Sequence, residues 1–267
     1  VDDVDGGSPA TYHLGSAAAH GTVTVAADGQ YTYTPDADYA GEDQFSFSVS
    51  GDLASGAKLD YVFVIDNTGS MGDEIGGVIN HVSSFVSQLA ASGVDAQFGF
   101  VRYGEESEGA ATFSGFTTDA AEFGSLLSGV YAIGGGDTPE SGLEALELVA
   151  GLTFRDGAIK RAMLLTDATV KDLSSGISYW SGPAHYALNE VVADLVSQGI
   201  VLDVAGPAVA YLDEYGQSTE QLQQLNLPTG GSYYDITDPT FYSSGFGALG
   251  HYYTVNVDVT PVNDAPE

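Results

Sequence analysis

The sequence predicts an α/β fold, a doubly wound and mostly parallel sheet with helices on both faces, which is inserted into a split all-β sandwich. Uninterrupted apolar runs, such as residues 61–65 and 200–205, are typical of strands that are buried on both faces of a parallel sheet. Segments with helical spacing of apolar residues separate these runs. Strands with strict alternation, typical of sheets with one exposed face, lie near the two ends of the chain.

The predicted α/β domain covers residues 57–250, where strands and helices alternate. Strands are predicted at 61–65, 96–103, 111–116, 160–167, 200–205 and 230–235, and helices at 76–91, 119–131, 143–150, 183–198, 221–225 and 240–249. In open α/β sheets the ligand binds beyond the carboxyl ends of the strands. Functional residues are therefore expected in the loops that follow the predicted strands.

Residues 1–52 and 251–267 are predicted to form one β-sandwich, which the α/β domain interrupts. Residues 21–34 read as a hairpin around Asp28-Gly29, and residues 44–50 and 252–260 alternate again. The first part offers only about four strands, too few to close a sandwich, so the last strand is expected to complete it. The alternative is two independent domains, which would leave the C-terminal strand unpaired.

The composition is strongly acidic and lacks cysteine. Six Lys and Arg residues against 37 Asp and Glu residues give a net charge of −31, which argues against nucleic acid and anionic lipid as partners. No apolar run is long enough for a membrane span, so membrane insertion is not expected. The start of the chain lacks the pattern of a signal peptide, and we expect a monomeric segment of a longer exported protein, stabilised by bound metal instead of disulfides.

Oxygen-bearing side chains are concentrated after two of the predicted strands and in a glycine-rich loop. Asp66, Thr68 and Ser70 follow the first buried strand at every second position, and Asp167 ends a later strand. Thr138 lies in the glycine-rich loop that opens the helix at 143–150. Carboxylate and hydroxyl oxygens suit a small hard cation, so the sequence predicts a Mg2+ site, with Ca2+ or Mn2+ as alternatives.

These residues resemble the metal-ion-dependent adhesion site of the von Willebrand factor A domain. That site has the pattern Asp-x-Ser-x-Ser, then a loop Thr, then an Asp after a later strand, and Asp66, Thr68, Ser70, Thr138 and Asp167 fall on it in order. Thr68 departs from the pattern, because it replaces the first Ser and adds a methyl group. The resemblance implies that an acidic group of a partner completes the shell of the bound ion.

Three further acidic residues are candidates for additional metal contacts. Asp137-Thr138-Pro139-Glu140 resembles the Asp-Ser-Pro-Glu segment of integrin β subunits, in which the Glu reaches the ion. Glu140 could instead complement the dipole at the start of the following helix. Asp73 and Glu74 fall where the same subunits hold a second metal, although acidic residues are common in a first helical turn.

The two ends of the chain resemble the cadherin-like, immunoglobulin-like repeats of giant bacterial adhesins of the repeats-in-toxin type. The resemblance lies in Thr34-Pro-Asp-Ala-Asp-Tyr39 with the strand that follows, and in Thr260-Pro-Val-Asn-Asp-Ala-Pro266. It implies neighbouring repeats of the same chain as partners and Ca2+ in the β-sandwich and linkers. The candidate calcium ligands are Asp2, Asp3, Asp5, Glu42, Asp43, Asn263 and Asp264, and the alternative is solvated linker charge.

The sequence also suggests a ligand rim and a function. Tyr179 and Trp180 lie in a Gly- and Ser-rich loop beside the site, and the acidic aromatic segments 103–108 and 211–215 are expected to share that rim, although a single Trp is commonly a core residue. The five histidines show no catalytic pairing, so no enzyme is predicted. The leading hypothesis is an adhesion module of a large surface protein of a Gram-negative bacterium, secreted and used in attachment and biofilms.

The partner expected from this hypothesis is a protein or cell-surface ligand with an exposed carboxylate. Two other functions are compatible with the same residues. The first is a spacer domain without its own ligand, made rigid by calcium. The second is a magnesium-dependent phosphoester hydrolase, which would need a general base or a cationic clamp at the site.

Overall fold

The protein is described by a computed structural model, which covers residues 11–14, 18, 20–26, 30–50, 58–91, 94–104, 111–136, 138–238 and 251–259. The chain divides into two compact units, Val1–Ala54 with Ala248–Glu267, and Ser55–Gly247. None of the helices in these described ranges combines the length and the apolarity that a membrane span requires.

The described strands and helices are numbered separately, each in chain order. The strands are β1 (Thr11–Leu14), β2 (Gly21–Val25), β3 (Tyr31–Pro35), β4 (Gly41–Ser50), β5 (Lys58–Asp66), β6 (Asp95–Tyr103), β7 (Thr112–Phe113), β8 (Ile159–Leu165), β9 (Ile200–Gly206), β10 (Tyr233–Asp235) and β11 (His251–Val259). The helices are α1 (Ile75–Ala91), α2 (Ala120–Leu127), α3 (Gly142–Ala150), α4 (Leu188–Ser197) and α5 (Gln221–Asn226). Short 3-10 turns lie at Gly69–Gly72, Leu173–Ser175 and Leu227–Thr229.

In the smaller unit the C-terminal strand pairs with an N-terminal one. β11 runs antiparallel to β4, from His251 opposite Val49 to Val259 opposite Gly41, and β1 pairs with the other edge of β4. β2 and β3 form the predicted antiparallel hairpin. The C-terminal strand is therefore paired, whereas closure of these strands into a split sandwich stays a prediction.

Two of the candidate calcium ligands lie in β4, in different environments. Asp43 is buried, and its Oδ2 accepts hydrogen bonds from the His20 backbone N–H and the Tyr33 hydroxyl, both at 2.9 Å. This carboxylate therefore holds β4 to the β2–β3 hairpin, while Glu42 is exposed. The other candidates, Asp2, Asp3, Asp5, Asn263 and Asp264, lie outside the described residues, and calcium binding stays a prediction.

The larger unit has the predicted doubly wound α/β fold. Its six-stranded sheet has the order β10-β9-β8-β5-β6-β7, and it is parallel except for the antiparallel edge strand β7. Val62 and Val64 of β5 pack in one core with residues of α3, α4 and α5. Tyr61 and Phe63 point to the other face, where they contact Phe85 of α1 and Phe123 of α2. Helices on both faces thus explain the uninterrupted apolar run in β5.

Several element boundaries differ from those predicted. The strand predicted at 111–116 shortens to Thr112–Phe113, because Gly115 adopts a left-handed φ of 87° that ends the extended backbone. The helix predicted to start at Pro183 begins at Leu188, whose N–H donates to the carboxylate of the distant Asp172 at 3.1 Å. The helix predicted at 240–249 lies outside the described residues.

Candidate metal centre

The predicted ligands lie at the carboxyl ends of the two central strands. Asp66 is the last residue of β5, which pairs in parallel with β8 so that Ile65 lies opposite Leu165. Thr166 and Asp167 follow β8 directly, and this register brings Asp167 to the loop that carries Ser70. The parallel pairing therefore joins two segments that are a hundred residues apart in the chain.

Four of the five predicted ligands form one continuous run of oxygen–oxygen contacts. Asp66 Oδ1 accepts from the Thr68 backbone N–H at 2.9 Å and from the Thr68 hydroxyl at 2.8 Å. The Thr68 and Ser70 hydroxyl oxygens are 3.1 Å apart, and the Ser70 hydroxyl donates to Asp167 Oδ1 at 3.0 Å. Asp66 and Thr68 are fully buried, whereas Ser70 is exposed, so the run leads from the protein interior to solvent.

The run has fewer protons than it has contacts. Each hydroxyl has one proton, and an ionised carboxylate has none. When Thr68 donates to Asp66 and Ser70 donates to Asp167, no proton lies between the two hydroxyl oxygens, although they are 3.1 Å apart. Adjacent ligands of an octahedral Mg2+ lie about 3.0 Å apart, since each is about 2.1 Å from the ion. The donor types and the spacing both fit a hard divalent cation.

The second oxygen of Asp66 has its own hydrogen-bond partner. Thr166, which the sequence analysis did not single out, donates its hydroxyl to Asp66 Oδ2 at 2.6 Å, and the Tyr103 hydroxyl lies 3.5 Å from the same oxygen. Burial raises the pKa of Asp66 to about 6, although the hydrogen bonds from Thr166 and Thr68 oppose this effect. Burial also raises the pKa of Asp167, against the hydrogen bond from Ser70. A bound cation would favour the ionised form of both carboxylates.

The glycine-rich loop that precedes Thr138 is tied to the Asp66 loop. Gly69 N–H donates to Gly134 O at 3.1 Å, and Ile133 N–H donates to Asn67 O at 2.8 Å. A β-carbon at Gly69 would lie 2.5 Å from Gly134 O, so only glycine permits this approach. Thr138 is half-buried, and its N–H donates to Glu214 Oε1 at 3.2 Å. The structure thus places Thr138 at the same edge of the sheet, but outside the hydrogen-bonded run.

The additional metal candidates have different environments. Glu140 is 2% exposed. Its side chain and that of Thr68 both lie next to Gly135: a β-carbon built on Gly135 would be 4.0 Å from Glu140 Oε1 and 3.5 Å from Thr68 Cβ. The Glu140 side chain is therefore buried beside the Thr68 loop and is not a solvated charge at the start of α3. Asp73 is exposed and Glu74 is half-buried in the turn before α1. Metal binding by these three residues stays a prediction.

Within the described part of the chain, no three His, Asp or Glu side chains are clustered so that they could hold an ion by themselves. In the hydrogen-bonded run the two carboxylates are accompanied by the hydroxyl oxygens of Thr68 and Ser70. Such a mixed donor set with few charges is typical of Mg2+, which also retains water.

The two predicted rim residues have opposite environments. Trp180 is 67% exposed, whereas Tyr179 is buried at 5%. The Tyr179 hydroxyl lies 3.0 Å from Ser175 Oγ and donates to Gln217 Oε1 at 3.2 Å. Tyr179 therefore supports the loop from inside, and the prediction that it contacts a ligand is corrected. Trp180 is available to a partner.

A buried carboxylate that the sequence analysis missed organises the loop beside the centre. Asp213 Oδ2 accepts from the Thr169 hydroxyl at 2.6 Å and from Gln217 Nε2 at 3.1 Å, while Oδ1 accepts from the N–H groups of Tyr215 and Gln217, both at 2.9 Å. In the same loop the Tyr211 hydroxyl donates to Asp167 O at 2.7 Å. Asp213 thus positions residues 211–217 over one side of the candidate centre.

Asp213→Ala is expected to destabilise the protein by about 2 kcal/mol, because it removes hydrogen bonds to a buried charged acceptor. Since the Tyr215 hydroxyl accepts from the Trp180 N–H, loosening this loop should also lower the fluorescence anisotropy of Trp180, the only Trp in the chain. Urea denaturation and steady-state anisotropy measure the two effects. Glu220→Ala, at an exposed position of the same region, is the control and should change neither. Unchanged anisotropy in Asp213→Ala would contradict the positioning role.

Two family models match segments of the chain. Residues 60–178 match the family model of the von Willebrand factor A domain. Residues 1–58 match the family model of the bacterial Ig domain. The matched von Willebrand factor A region contains the whole of the predicted ligand set, from Asp66 to Asp167.

Two relatives that match part of the chain are larger proteins. The chain is 28% identical over 151 residues to the alpha-protein kinase vwkA of Dictyostelium discoideum, with 53% of this chain and 24% of that protein covered. It is 32% identical over 127 residues to the mouse von Willebrand factor A domain-containing protein 7, with 48% of this chain and 14% of that protein covered. The chain thus spans less than a quarter of the length of either relative.

A solved structure shares the fold over most of the chain. The pilus adhesin SpaC of Lactobacillus rhamnosus GG, in its open conformation, aligns with a TM-score of 0.54 at 13% sequence identity. The alignment covers 92% of this chain and 34% of the adhesin. At this identity the likeness concerns the fold alone.

Proposed function

We propose that the von Willebrand factor A-like unit is a metal-dependent adhesion module. Asp66, Thr68, Ser70, Thr138 and Asp167 would hold one divalent cation, Mg2+ or alternatively Ca2+ or Mn2+, and the partner would be a protein or cell-surface ligand with an exposed carboxylate. The run of oxygen contacts from Asp66 to Asp167, which has one proton too few, is the observation that supports this proposal best.

The charges of the residues fit ligand capture. Asp66 and Asp167 supply two negative charges, so a divalent ion held there would be neutralised but could still accept an oxygen atom from outside. Thr68 and Asp66 are buried, while Ser70 is exposed and Asp167 is half-buried, so the solvent side of the centre lies at Ser70 and Asp167. An incoming carboxylate would approach from this side.

The comparisons support a surface location as part of the proposal. The N-terminal match is to a bacterial Ig domain, and the solved neighbour is a pilus adhesin. We place the chain in a secreted bacterial surface protein, in which neighbouring repeats of the same chain flank it and calcium binds at the linkers. A Gram-negative source, the repeats-in-toxin type and a role in biofilms remain parts of the same hypothesis.

A peptide array tests the proposal. Each peptide on the array carries a single aspartate and is printed beside its asparagine form, and binding is measured in Mg2+ and in EDTA. We expect binding to aspartate peptides in Mg2+ only, and loss of this binding in an Asp66→Asn, Ser70→Ala variant. Equal binding to the asparagine forms, or binding that persists in EDTA, would contradict carboxylate capture by a bound ion.

A spacer without its own ligand is the second candidate function, and one observation favours it. The loop of residues 211–217 contacts two of the ligand-bearing segments. The Tyr211 hydroxyl donates to Asp167 O, and Glu214 Oε1 accepts from Thr138 N–H. If this loop closes the centre permanently, the ion only joins loops. In that case no peptide on the array would bind, while magnesium would still stabilise the fold.

Glu214→Gln distinguishes the two functions. The Gln side chain can still accept the hydrogen bond from Thr138 N–H, but it removes an exposed negative charge beside the centre. For an adhesion module we expect two- to fivefold tighter binding of an aspartate peptide, since a screened repulsion of roughly 0.5–1 kcal/mol is lost. Fluorescence titration of peptide in Mg2+ measures this change, with Glu220→Gln as the charge-matched control. Weaker binding would show that Glu214 assists the ligand instead of repelling it.

The phosphoester hydrolase has less support. Arg155 binds Asp60 and Asp95, Arg161 binds Asp203, and Lys160 donates to Gln198 O. These three cations are therefore occupied by structural contacts and offer no clamp for a phosphate. The absence of enzymatic activity stays a prediction.

A further inference from the structure

The three loops around the candidate centre hold an unusual share of the exposed apolar side chains. Of the twelve large apolar side chains that are exposed in the described residues, six lie in these loops. They are Tyr131 (64%), Ile133 (49%), Trp180 (67%), Val209 (79%), Tyr211 (39%) and Leu212 (68%). Single exposed apolar residues are normal, but their concentration around one site indicates a contact surface. We call these six residues the apolar rim.

Each part of the apolar rim contacts a segment that carries a predicted ligand. The backbone oxygen of Tyr131 accepts a hydrogen bond from Asn67 Nδ2 at 3.4 Å. Asn67 lies between Asp66 and Thr68 in the sequence. Tyr211 donates to Asp167 O at 2.7 Å. A β-carbon on Gly136 would lie 3.5 Å from Trp180 Cζ3, which places the indole against the loop that leads to Thr138. The rim therefore borders the centre through three different ligand-bearing segments.

We propose that the apolar rim binds an extended protein segment in which one acidic residue is flanked on both sides by apolar or aromatic residues, with Trp180 as the main anchor. The inference rests on the proposed function, because the acidic residue would complete the shell of the bound ion. Trp and Tyr are the residue types that contribute most to protein–protein binding, since they bury a large area at a small cost in conformational entropy.

The charges around the centre specify which flanking residues fit. The net charge of the chain is −31, and the exposed carboxylates of Glu214 and Asp73 lie in the loops near the centre. A second acidic group in the partner would meet this negative surface, whereas apolar side chains would meet the rim. A single carboxylate with apolar neighbours is therefore the complementary arrangement.

The distribution of the rim residues favours a peptide over an acidic sugar. Side chains before and after the acidic residue of an extended segment lie on both sides of it, about 3.3 Å of chain per residue. We expect such a segment to contact the Tyr131, Trp180 and Tyr211 loops at the same time. A single sugar ring presents one apolar face and would use one aromatic side chain, so the other rim residues would have no partner.

The test compares four ligands in Mg2+, of which three carry one carboxylate and one carries additional carboxylates. The probes are a peptide with one aspartate between Leu and Tyr residues, the same peptide with Ser at the flanking positions, the same peptide with Glu there, and glucuronate. We expect the Leu/Tyr peptide to bind about tenfold tighter than the Ser peptide, because one or two anchor contacts are worth about 1.4 kcal/mol. The Glu peptide should bind most weakly.

Two variants separate the rim from the metal. A Trp180→Ser, Tyr131→Ser variant should bind the Leu/Tyr peptide only as tightly as the Ser peptide, with unchanged magnesium affinity and urea midpoint, because both side chains are exposed. Equal binding of the Leu/Tyr and Ser peptides, an unaffected Trp180→Ser, Tyr131→Ser variant, or preference for glucuronate would overturn the inference.

The results that would contradict the proposed function differ from those that would contradict the role of the rim. If the Leu/Tyr peptide binds equally well in EDTA, or to the Asp66→Asn, Ser70→Ala variant, the rim binds peptides but the metal does not take part. If no probe binds although magnesium does, both proposals are overturned. Tight binding of all aspartate peptides in Mg2+ alone, without selectivity, supports the proposed function and overturns only the role of the rim.

Discussion

Magnesium affinity is expected to fall at least about 100-fold when Asp66→Asn is combined with Ser70→Ala, because one of two ligand charges and one hydroxyl ligand are removed. Asn retains an oxygen that can accept the hydrogen bonds from the Thr68 N–H and hydroxyl, so the loop geometry should survive. Isothermal titration of metal-stripped protein with Mg2+ measures the change. A single binding event is expected in the wild type and none in the variant.

The control for this experiment carries the same two chemical changes away from the centre. Asp156→Asn with Ser125→Ala alters two exposed positions and should titrate like the wild type. Urea midpoints of the three proteins show whether the fold is retained. If the Asp66 variant also titrates like the wild type, the ion binds elsewhere, and the calcium-stabilised spacer becomes the leading function.

Arg161→Met is expected to lower the free energy of unfolding by about 3 kcal/mol. Arg161 and Asp203 lie on the adjacent strands β8 and β9 and are 6% and 2% exposed. Asp203 Oδ2 accepts from Arg161 Nη2, and Oδ1 accepts from Ser232 N–H at 2.9 Å. Removing the guanidinium leaves the carboxylate buried without a counter-charge.

A second substitution identifies the cause of this loss. Adding Asp203→Asn to Arg161→Met should restore most of the stability, because Asn is neutral and its oxygen can still accept from Ser232 N–H. Urea denaturation of the wild type, the single variant and the double variant gives the comparison. If the double variant is as unstable as the single one, the lost packing of the Arg161 methylene groups, and not the unpaired charge, causes the effect.

The predictable parts of the site are those that depend on local sequence. The spacing of Asp66, Thr68 and Ser70 places the three side chains in one turn after a buried strand, and their contacts span only two residues each. The contact of Ser70 with Asp167 spans 97 residues, but parallel strands end at the same edge of the sheet, so the position of Asp167 was also predictable. Strand pattern and parallel topology therefore predicted that these segments meet, whereas the full ligand set was implied by the resemblance to the metal-ion-dependent adhesion site.

The loops were less predictable, because they lack the periodic pattern of apolar residues that separates buried from exposed positions in helices and strands. Tyr179 and Trp180 are neighbours in sequence, yet one is buried and the other is exposed. The role of Asp213 depends on a hydrogen bond from Thr169, 44 residues earlier, which no local pattern indicates. The position of Thr138 relative to the hydrogen-bonded run likewise depends on contacts of its loop with Gly69 and Glu214.

The pairing of β11 with β4 has a mechanical consequence. β1 and β11 both run antiparallel to β4, and Thr11 lies opposite Ser50 at one end of β4 while Val259 lies opposite Gly41 at the other. Tension applied between Thr11 and Val259 therefore shears two ladders of backbone hydrogen bonds, which share the load along their length. A pulled molecule would thus carry the force through the sheet of β1, β4 and β11.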